Sequence, residues 1–227
     1  MSSRIEQYAT VAIAVCAVAV SGAFLQEKLT PKRRLGQKTP PTATATELTS
    51  SQLALLKSAA LSQSEDPRQL MVVEVIDVEC PFCARYAATF DSLESILGDS
   101  IRVAHLNYPL GFHRFARSGA IAVDCAYRQR RGTQFVRTVY GSHDSIGFWS
   151  WDRYAAESGI PDTSAFRSCR LSAATGSRID SSVAVAKSLD VRGTPAVYVG
   201  QWQYDQPPEL RQLLQDIRLI LKGKKPQ

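Results

Sequence analysis

The chain has 227 residues, of which 44% are hydrophobic and 21% charged, with five cysteines and a formal net charge of +6. This length and apolar content suffice for a packed core and exclude a mainly disordered or collagen-like chain. Five cysteines are too few for a small domain held together by disulfides alone. The isoelectric point of about 9.2 raises the question of nucleic-acid binding, which depends on where the charges lie.

Most of the excess positive charge lies near the N-terminus. Up to Thr46, six basic residues stand against two acidic ones, whereas the rest of the chain carries 21 basic and 19 acidic residues. A nucleic-acid-binding protein needs Lys and Arg arrayed across its folded face. Arg128, Arg130 and Arg131 form a small cluster, which we interpret as a solvated helix end. The sequence therefore predicts no nucleic-acid partner.

An uncharged, strongly apolar run covers residues 8–25, after a short N-terminal segment of residues 1–7. Eighteen residues at the helical rise reach roughly 27 Å, close to the thickness of a bilayer core. Two interpretations compete: a transmembrane anchor, which the length favours, and a cleavable signal peptide, for which the small residues 21–23 suit a cleavage site. Cys16 lies inside this run and is most simply a small residue compatible with lipid.

Residues 26–66 are predicted to form a linker. They begin with a basic stretch, continue as a Pro- and Thr-rich stretch without apolar periodicity, and contain one short predicted helix over residues 47–61. No hydrophobic pattern in the linker itself predicts a packed domain.

Residues 67–112 show a strand–helix–strand pattern. Residues 70–78 are rich in β-branched side chains and are interpreted as a buried strand, apolar residues recur at helical spacing over residues 82–97, and residues 101–108 form a second strand. This unit implies two parallel strands joined by a right-handed crossover.

Helical patterns dominate residues 113–189, with breaks at glycines and at a Gly-Ile-Pro sequence, and we interpret this stretch as a helical insertion. Residues 190–227 contain two short apolar runs typical of a hairpin, 196–199 and 202–204. The helix over residues 210–221 is the clearest prediction, because its leucines and isoleucines recur at i, i+3, i+4 and i+7. The order of elements predicts an α/β fold preceded by one N-terminal transmembrane helix.

Two cysteines separated by two residues, Cys80-Pro81-Phe82-Cys83, lie where the first strand meets the first helix. A thiolate is the reactive form of cysteine, and a helix N-terminus lowers a thiol pKa through its free N–H groups and its dipole. Pro81 suits the first helical position, and Cys83 lies within one helical turn of Cys80. Redox chemistry is favoured over zinc, since zinc takes four ligands and the chain has no second pair with ligand spacing.

A second motif, RGTP at residues 192–195, leads directly into the predicted hairpin. Together with VVEVIDVECPFC, the helical insertion and the C-terminal helix, this motif makes residues 71–221 resemble the DsbA-like thiol-disulfide oxidoreductases of the bacterial cell envelope. The resemblance implies the thioredoxin fold, with the helical stretch inserted into it. It also implies a cis peptide bond before Pro195, and that the backbone of Thr194 and Pro195 docks an extended substrate.

The resemblance also assigns roles around the two cysteines. It implies that Glu74, six residues before Cys80, lies buried beneath Cys83 and moves a proton to and from that thiol. Pro81 and Phe82, which stand between the cysteines, are expected to contribute to substrate binding.

The remaining family features leave the direction of electron flow open. Asp77 and Glu79 match the family pattern DxECPFC, and we interpret Glu79 as a solvated neighbour of the cysteines. The strongest oxidants of the family carry Pro-His between the cysteines, whereas this chain carries Pro-Phe, and Thr194 resembles the isomerase and reductase branches. Oxidase, isomerase and reductase activity therefore all stay open.

The helical insertion holds two more cysteines, Cys125 and Cys169. They are predicted either to form a structural disulfide, which an oxidising compartment permits, or to be two buried small apolar residues. Phe148, Trp149 and Trp151 are interpreted as a packed corner of the insertion rather than as a substrate groove.

The sequence as a whole predicts a membrane-anchored thiol-disulfide oxidoreductase that exchanges disulfides with envelope proteins. The expected location is the bacterial inner membrane, crossed once, with the catalytic domain in the periplasm or another extracytoplasmic space. The basic run over residues 28–38 favours the opposite orientation by the positive-inside rule, and we give precedence to the redox chemistry.

The expected partners are protein thiol and disulfide substrates, a membrane or thioredoxin-like protein that recycles the cysteine pair, and the lipid bilayer through the N-terminal helix. No metal and no organic cofactor is implied besides the redox-active disulfide Cys80–Cys83. Two alternatives stay open: a thioredoxin-fold interaction subunit of a membrane assembly with a non-catalytic CxxC pair, and a copper or zinc carrier that uses both cysteines.

Overall fold

A computed structural model describes residues 42–227 of the chain. The N-terminal segment 1–7, the predicted anchor 8–25 with Cys16, and the first part of the predicted linker lie outside the described residues. Among the described helices, none combines the length and the apolar character needed to cross a bilayer. The transmembrane helix therefore stays a prediction.

The described residues contain one mixed sheet of six strands. The strands are β1 (Ala45–Glu47), β2 (Leu61–Ser62), β3 (Leu70–Ile76), β4 (Ile101–Asn107), β5 (Ala196–Val199) and β6 (Trp202–Tyr204). They lie in the order β1-β6-β5-β3-β4-β2. Strands β3 and β4 are parallel and the other neighbours are antiparallel, which confirms the parallel pair expected from the sequence.

Helices pack on both faces of the sheet and at its end. They are α1 (Ser50–Ala59), α2 (Pro81–Leu97), α3 (Ala116–Arg128), α4 (Gly132–Gly141), α5 (Trp151–Glu157), α6 (Thr163–Leu171), α7 (Ala173–Ser188) and α8 (Leu210–Ile220). The five helices α3–α7 occupy the predicted insertion. Helix α2 ends at Gly98, whose φ of 48° lies in the left-handed region that glycine adopts without strain.

The alternation of side chains along β3 determines which helices meet which residues. Val72 packs in one buried cluster with side chains of α2 and α8, whereas Val73 and Val75 pack in another with side chains of α1 and α7. Because side chains repeat with a period of two, Glu74 lies on the same face as Val72, beneath α2.

The insertion forms its own buried cluster around Phe135, Tyr154 and Phe166. The same cluster reaches Ile76 at the end of β3 and both cysteines of the CxxC motif. The insertion therefore covers the end of the sheet where the motif lies.

The structure differs from the sequence prediction in the linker. Residues 45–47 and 61–62 fall inside the predicted linker 26–66, yet they form the two edge strands β1 and β2, paired with β6 and β4. Strands of two or three residues carry no readable alternation, so only backbone pairing with distant segments reveals them. Helix α1, between them, begins with a capping box at Thr49.

Candidate active site

Cys80 caps the N-terminus of α2, Pro81 is the first residue of that helix, and Cys83 lies in its first turn. Both cysteines are free thiols and both are buried. The segment after β3 thus places Cys80 at the N-terminus of α2, where the backbone N–H groups have no partner within the helix.

The surroundings of Cys80 lower the pKa of its thiol to about 5. The largest cause is the hydrogen bond from the Cys83 side chain, and the nearby Thr194 hydroxyl and the N–H groups of Cys83 and Phe82 add to it, against the opposing effect of burial. In the thiol form, Cys80 Sγ donates to the Thr194 carbonyl oxygen at 3.4 Å. At neutral pH this cysteine is therefore a thiolate.

Cys83 has the opposite character. Burial raises the pKa of its thiol far above the ordinary value, and the hydrogen bond to Cys80 and the charge of Glu74 raise it further. Cys80 is therefore a nucleophilic thiolate, whereas Cys83, in the same helical turn, is a protonated thiol that needs a base before it can react.

Glu74 is the carboxyl group next to this buried thiol. Its residue is 1% exposed, and burial raises its pKa well above the ordinary value, with the charges of Cys80 and Asp91 adding to the effect. Oxygen Oε2 lies 3.8 Å from Nε2 of His105, which occupies the paired position on β4, and oxygen Oε1 has no hydrogen-bond partner. Burial lowers the pKa of His105 to about 3, so its ring is neutral and leaves the carboxyl group without a counter-charge.

The loop that carries the RGTP motif lies just before β5 and faces Cys80. The Thr194–Pro195 peptide bond is cis. The Thr194 hydroxyl is buried without a hydrogen-bond partner, although it lies close enough to Cys80 to lower the pKa of that thiol. The hydroxyl is therefore free to donate to the thiolate.

An open groove of about 690 Å³ runs along this loop. Phe82, Thr194 and Pro195 line it together with residues of β6 and the segment after it. Phe82 is 62% exposed, and Arg85 stacks over its ring at 4.5 Å. Pro81 is also exposed, so both residues between the cysteines face solvent.

Asp77, which the sequence matched to the family pattern, is a buried anchor for the insertion. Its carboxylate accepts hydrogen bonds from the Glu79 and Leu110 N–H groups, and Oδ2 lies 2.7 Å from Nδ1 of His113. A single buried carboxylate therefore ties the end of β3 to the loop after β4.

The interpretation of Glu79 as a solvated neighbour is wrong. Its carboxylate accepts a hydrogen bond from the Phe115 N–H group at 2.5 Å, and its carbonyl oxygen lies 3.1 Å from Nε2 of His143. Both partners belong to the helical insertion, 36 and 64 positions away in the chain, and local sequence carries no signal for such contacts.

Cys125 and Cys169 form a disulfide between α3 and α6, which decides between the two alternatives left by the sequence.

Two of the three aromatic residues predicted to form a packed corner of the insertion do so. The rings of Trp149 and Trp151 lie 5.3 and 5.5 Å from the ring of Tyr154. Phe148 does not belong to it, since this side chain is 86% exposed.

The described residues offer one cluster of potential metal ligands, Asp124 with Cys125 and Cys169. The disulfide consumes both of its sulfur atoms, and a thiolate rather than a bonded sulfur binds metal. This cluster therefore does not fit a metal ion.

A comparison with protein families matches residues 68–218 to the family model described as thioredoxin. The chain belongs to the thioredoxin family. The matched residues include the CPFC motif, Glu74, the insertion and the cis-proline loop, so the resemblance found in the sequence is confirmed.

Solved structures share this thioredoxin-family fold. A thioredoxin-like oxidoreductase from Silicibacter pomeroyi DSS-3 is 23% identical, with 77% of this chain and 98% of that chain covered and a TM-score of 0.62. Oxidised BdbD from Bacillus subtilis is 16% identical, with 81% and 100% covered and a TM-score of 0.64. The thiol-disulfide exchange protein alpha-DsbA2 from Wolbachia pipientis is 15% identical, with 75% and 94% covered and a TM-score of 0.59. The fold is thus that of DsbA-type proteins.

Curated relatives match over 147 residues of this thioredoxin-family chain. They include proteins named Na(+)/H(+) antiporter NhaA 1 from Mycolicibacterium vanbaalenii, 24% identical, and from Mycolicibacterium gilvum, 25% identical. The match covers 64% of this chain and 24% of each relative. The matched segment is about a quarter of the length of those proteins, so their antiporter name does not assign ion transport to this chain.

Proposed function

We propose that this chain is a protein thiol-disulfide oxidoreductase in which Cys80 is the nucleophile and Cys83 the resolving thiol. The observation that carries the proposal is the contrast between the two thiols: the pKa of Cys80 is lowered to about 5 and that of Cys83 is raised by burial. A pair of buried thiols with only a structural role does not require that one of them be stabilised as a thiolate.

The reaction proceeds in two exchange steps. The Cys80 thiolate attacks a substrate disulfide, which forms a bond between Cys80 and one substrate sulfur and releases the other as a thiolate. Glu74 then accepts the proton of Cys83, and the Cys83 thiolate attacks Sγ of Cys80. The Cys80–Cys83 disulfide forms, the second substrate sulfur leaves, and two electrons have passed to the substrate. The same steps in reverse oxidise a substrate dithiol.

The proposed substrates are extended protein segments that contain cysteine. The groove beside Cys80 supports this proposal, because Phe82 offers an exposed apolar contact and the backbone of Thr194 and Pro195 borders the sulfur atom. An extended peptide in this groove brings its own sulfur to Cys80.

The electrostatics of Cys80 favour an intermediate redox potential. A stabilised thiolate stabilises the reduced form, and the pKa of about 5 lies between about 7 for thioredoxin and about 3.5 for DsbA. We therefore propose a potential between about −270 and about −120 mV, the values of those two proteins. The cysteine pair serves as the redox centre and depends on a protein partner for its recycling.

The proposed location is the outer side of a membrane, with residues 8–25 as the anchor and envelope proteins as substrates. The Cys125–Cys169 disulfide supports an oxidising compartment, since structural disulfides are rare in the cytosol. An alkaline phosphatase reporter fused after Gln227 tests the location: activity supports it, and an inactive but intact fusion contradicts it.

The test of the activity uses the full chain and its Cys80→Ser variant. We expect the chain to equilibrate with glutathione and to exchange disulfides with a reduced or oxidised protein substrate, and we expect Cys80→Ser to abolish both. Cys83→Ser is the matched control, since it keeps the nucleophile and should accumulate a mixed disulfide with substrate. Undiminished exchange by Cys80→Ser would show that the CxxC pair is not catalytic.

A further inference from the structure

A small cavity of about 20 Å³ lies beside Glu74, between α2 and α4. Its lining comes from four elements and includes Ala87 and Phe90 of α2, His105 of β4, and Thr133 and Val136 of α4. A space of this volume holds one water molecule, provided that polar groups face it.

Two residues of the lining each carry a polar atom that has no hydrogen-bond partner. The atoms are Oε1 of Glu74 and the hydroxyl of Tyr140, and both residues are more than nine-tenths buried. Unpaired buried polar atoms are strongly disfavoured, and a water molecule in the cavity would offer a partner to such atoms. Burial raises the pKa of the Tyr140 hydroxyl well above its ordinary value, and the nearby charges of Cys83 and Glu74 raise it further, although the hydroxyl and Cys83 do not form a hydrogen bond of regular geometry.

The lining also includes an ion-pair cluster that reaches the surface. Arg137 of α4 donates from Nε to Asp91 Oδ1 at 2.6 Å and from its other end to Glu94, both on α2. The side chains of Arg137, Asp91 and Glu94 are 38%, 51% and 34% exposed. The cavity therefore has the buried carboxyl group in its wall together with carboxylates that touch solvent.

The other groups around Glu74 do not offer an exit for a proton. Besides Asp91, the titratable groups that interact with it are Cys80 at the N-cap of α2, Cys83 and Tyr86 of α2, His105 of β4, Tyr127 of α3 and Tyr140 of α4. His105 is buried, and with a pKa of about 3 it accepts no proton at neutral pH. Tyr86 donates its hydroxyl to the Pro208 carbonyl oxygen. Substrate covers the Cys80 side while the mixed disulfide exists.

We propose that the proton taken from Cys83 leaves Glu74 through a water in this cavity, which Tyr140 positions, to the carboxylates of Asp91 and Glu94 at the surface. The inference rests on the proposed function and deepens it. In the balanced step, one proton moves from Cys83 to Glu74 and from there through the water to the surface carboxylates and to solvent. The Cys83 thiolate that remains then bonds to Sγ of Cys80 and releases the substrate thiolate, so the exit of the proton precedes the second release.

The test separates the two exchange steps by stopped-flow reaction of the reduced full chain with 5,5′-dithiobis(2-nitrobenzoate). Attack by Cys80 releases the first nitrothiobenzoate, and attack by Cys83 on the mixed disulfide releases the second. The proposed path acts only on the second release. Tyr140→Phe is expected to slow that phase roughly fivefold, as for loss of one hydrogen bond, and to leave the first phase unchanged.

A double variant tests the surface end of the path. Asp91→Asn with Glu94→Gln is expected to slow the second phase in dilute buffer, and added acetate, a small carboxylate, is expected to restore it. A merely structural effect of the substitutions would not respond to acetate. Asp99→Asn is the matched control, because this exposed carboxylate lies just beyond the end of α2 and does not line the cavity.

The outcomes distinguish the path from the activity. If Glu74→Gln slows the second phase while Tyr140→Phe and the double variant match the wild type, the proton leaves by another route and the path is wrong, although the proposed activity stands. If the wild-type chain releases no second equivalent, Cys83 does not resolve the mixed disulfide, and the proposed function and the path both fail.

Discussion

Replacing Thr194 by valine should weaken the thiolate of Cys80. The Thr194 hydroxyl is buried, lacks a hydrogen-bond partner and contributes to the lowered pKa of the thiol. Valine has nearly the same shape, so Thr194→Val removes the hydroxyl and keeps the packing of the loop before Pro195. The perturbation therefore isolates one hydrogen bond to the nucleophile.

The expected magnitude follows from the energy of a hydrogen bond to a charged group, about 1.5–3 kcal/mol. One pKa unit corresponds to about 1.4 kcal/mol, so the pKa of Cys80 should rise by about one to two units. Loss of thiolate stabilisation destabilises the reduced form, and the reduction potential should fall by about 30–60 mV.

The assay is a pH titration of the thiolate absorbance of reduced protein, with oxidised protein as the blank, together with a glutathione redox equilibrium. Thr194→Ser is the control, since it keeps a hydroxyl and should keep the pKa near that of the wild type. An unchanged pKa and potential in Thr194→Val would refute the reasoning, because the hydroxyl would then not bond to the thiolate.

Three further predictions concern stability, measured by urea unfolding. The pKa of Cys80 is lower in the folded than in the unfolded protein. The unfolding free energy of the reduced protein, relative to that of the oxidised protein, should therefore decrease by roughly 1.4 kcal/mol per pH unit as pH falls from about 8.5 towards about 5. A difference between the two forms that does not change with pH would contradict the lowered pKa. Glu79→Gln should destabilise by about 1–2 kcal/mol through its weakened bond to the insertion, whereas exposed Glu157→Gln should not. Replacing Cys125 and Cys169 together by serine should destabilise by about 2–4 kcal/mol and leave the Cys80 titration unchanged.

Local signals predicted the central fold well. The β-branched run of β3, the amphipathic helix α2 that ends at Gly98 and the periodic leucines of α8 each lie within one segment, and the structure agrees with each to within a few residues. The two edge strands did not have such a signal, because two or three residues show no period and their pairing partners are distant in the chain.

The residues of the candidate site also divide into those with a local sequence signal and those without one. Cys80 and Cys83 belong to one short motif, so the sequence sufficed to single them out, and the family resemblance added the expected roles of Pro195 and Glu74. His105 and Tyr140 were missed, since neither belongs to a motif, although the pairing of β3 with β4 was a usable signal for His105.

The sequence by itself determined that Cys80 lies at a helix N-terminus with Cys83 in the first turn, because strand, cap and helix are contiguous there. Only the tertiary structure decided how the insertion packs on the motif. Asp77 and Glu79 bind its loops, Cys125 bonds to Cys169, and α4 places Tyr140 in the wall of the cavity that Glu74 also lines. These contacts join residues far apart in the chain, and their energies depend on burial and distance, which arise only when the elements pack together.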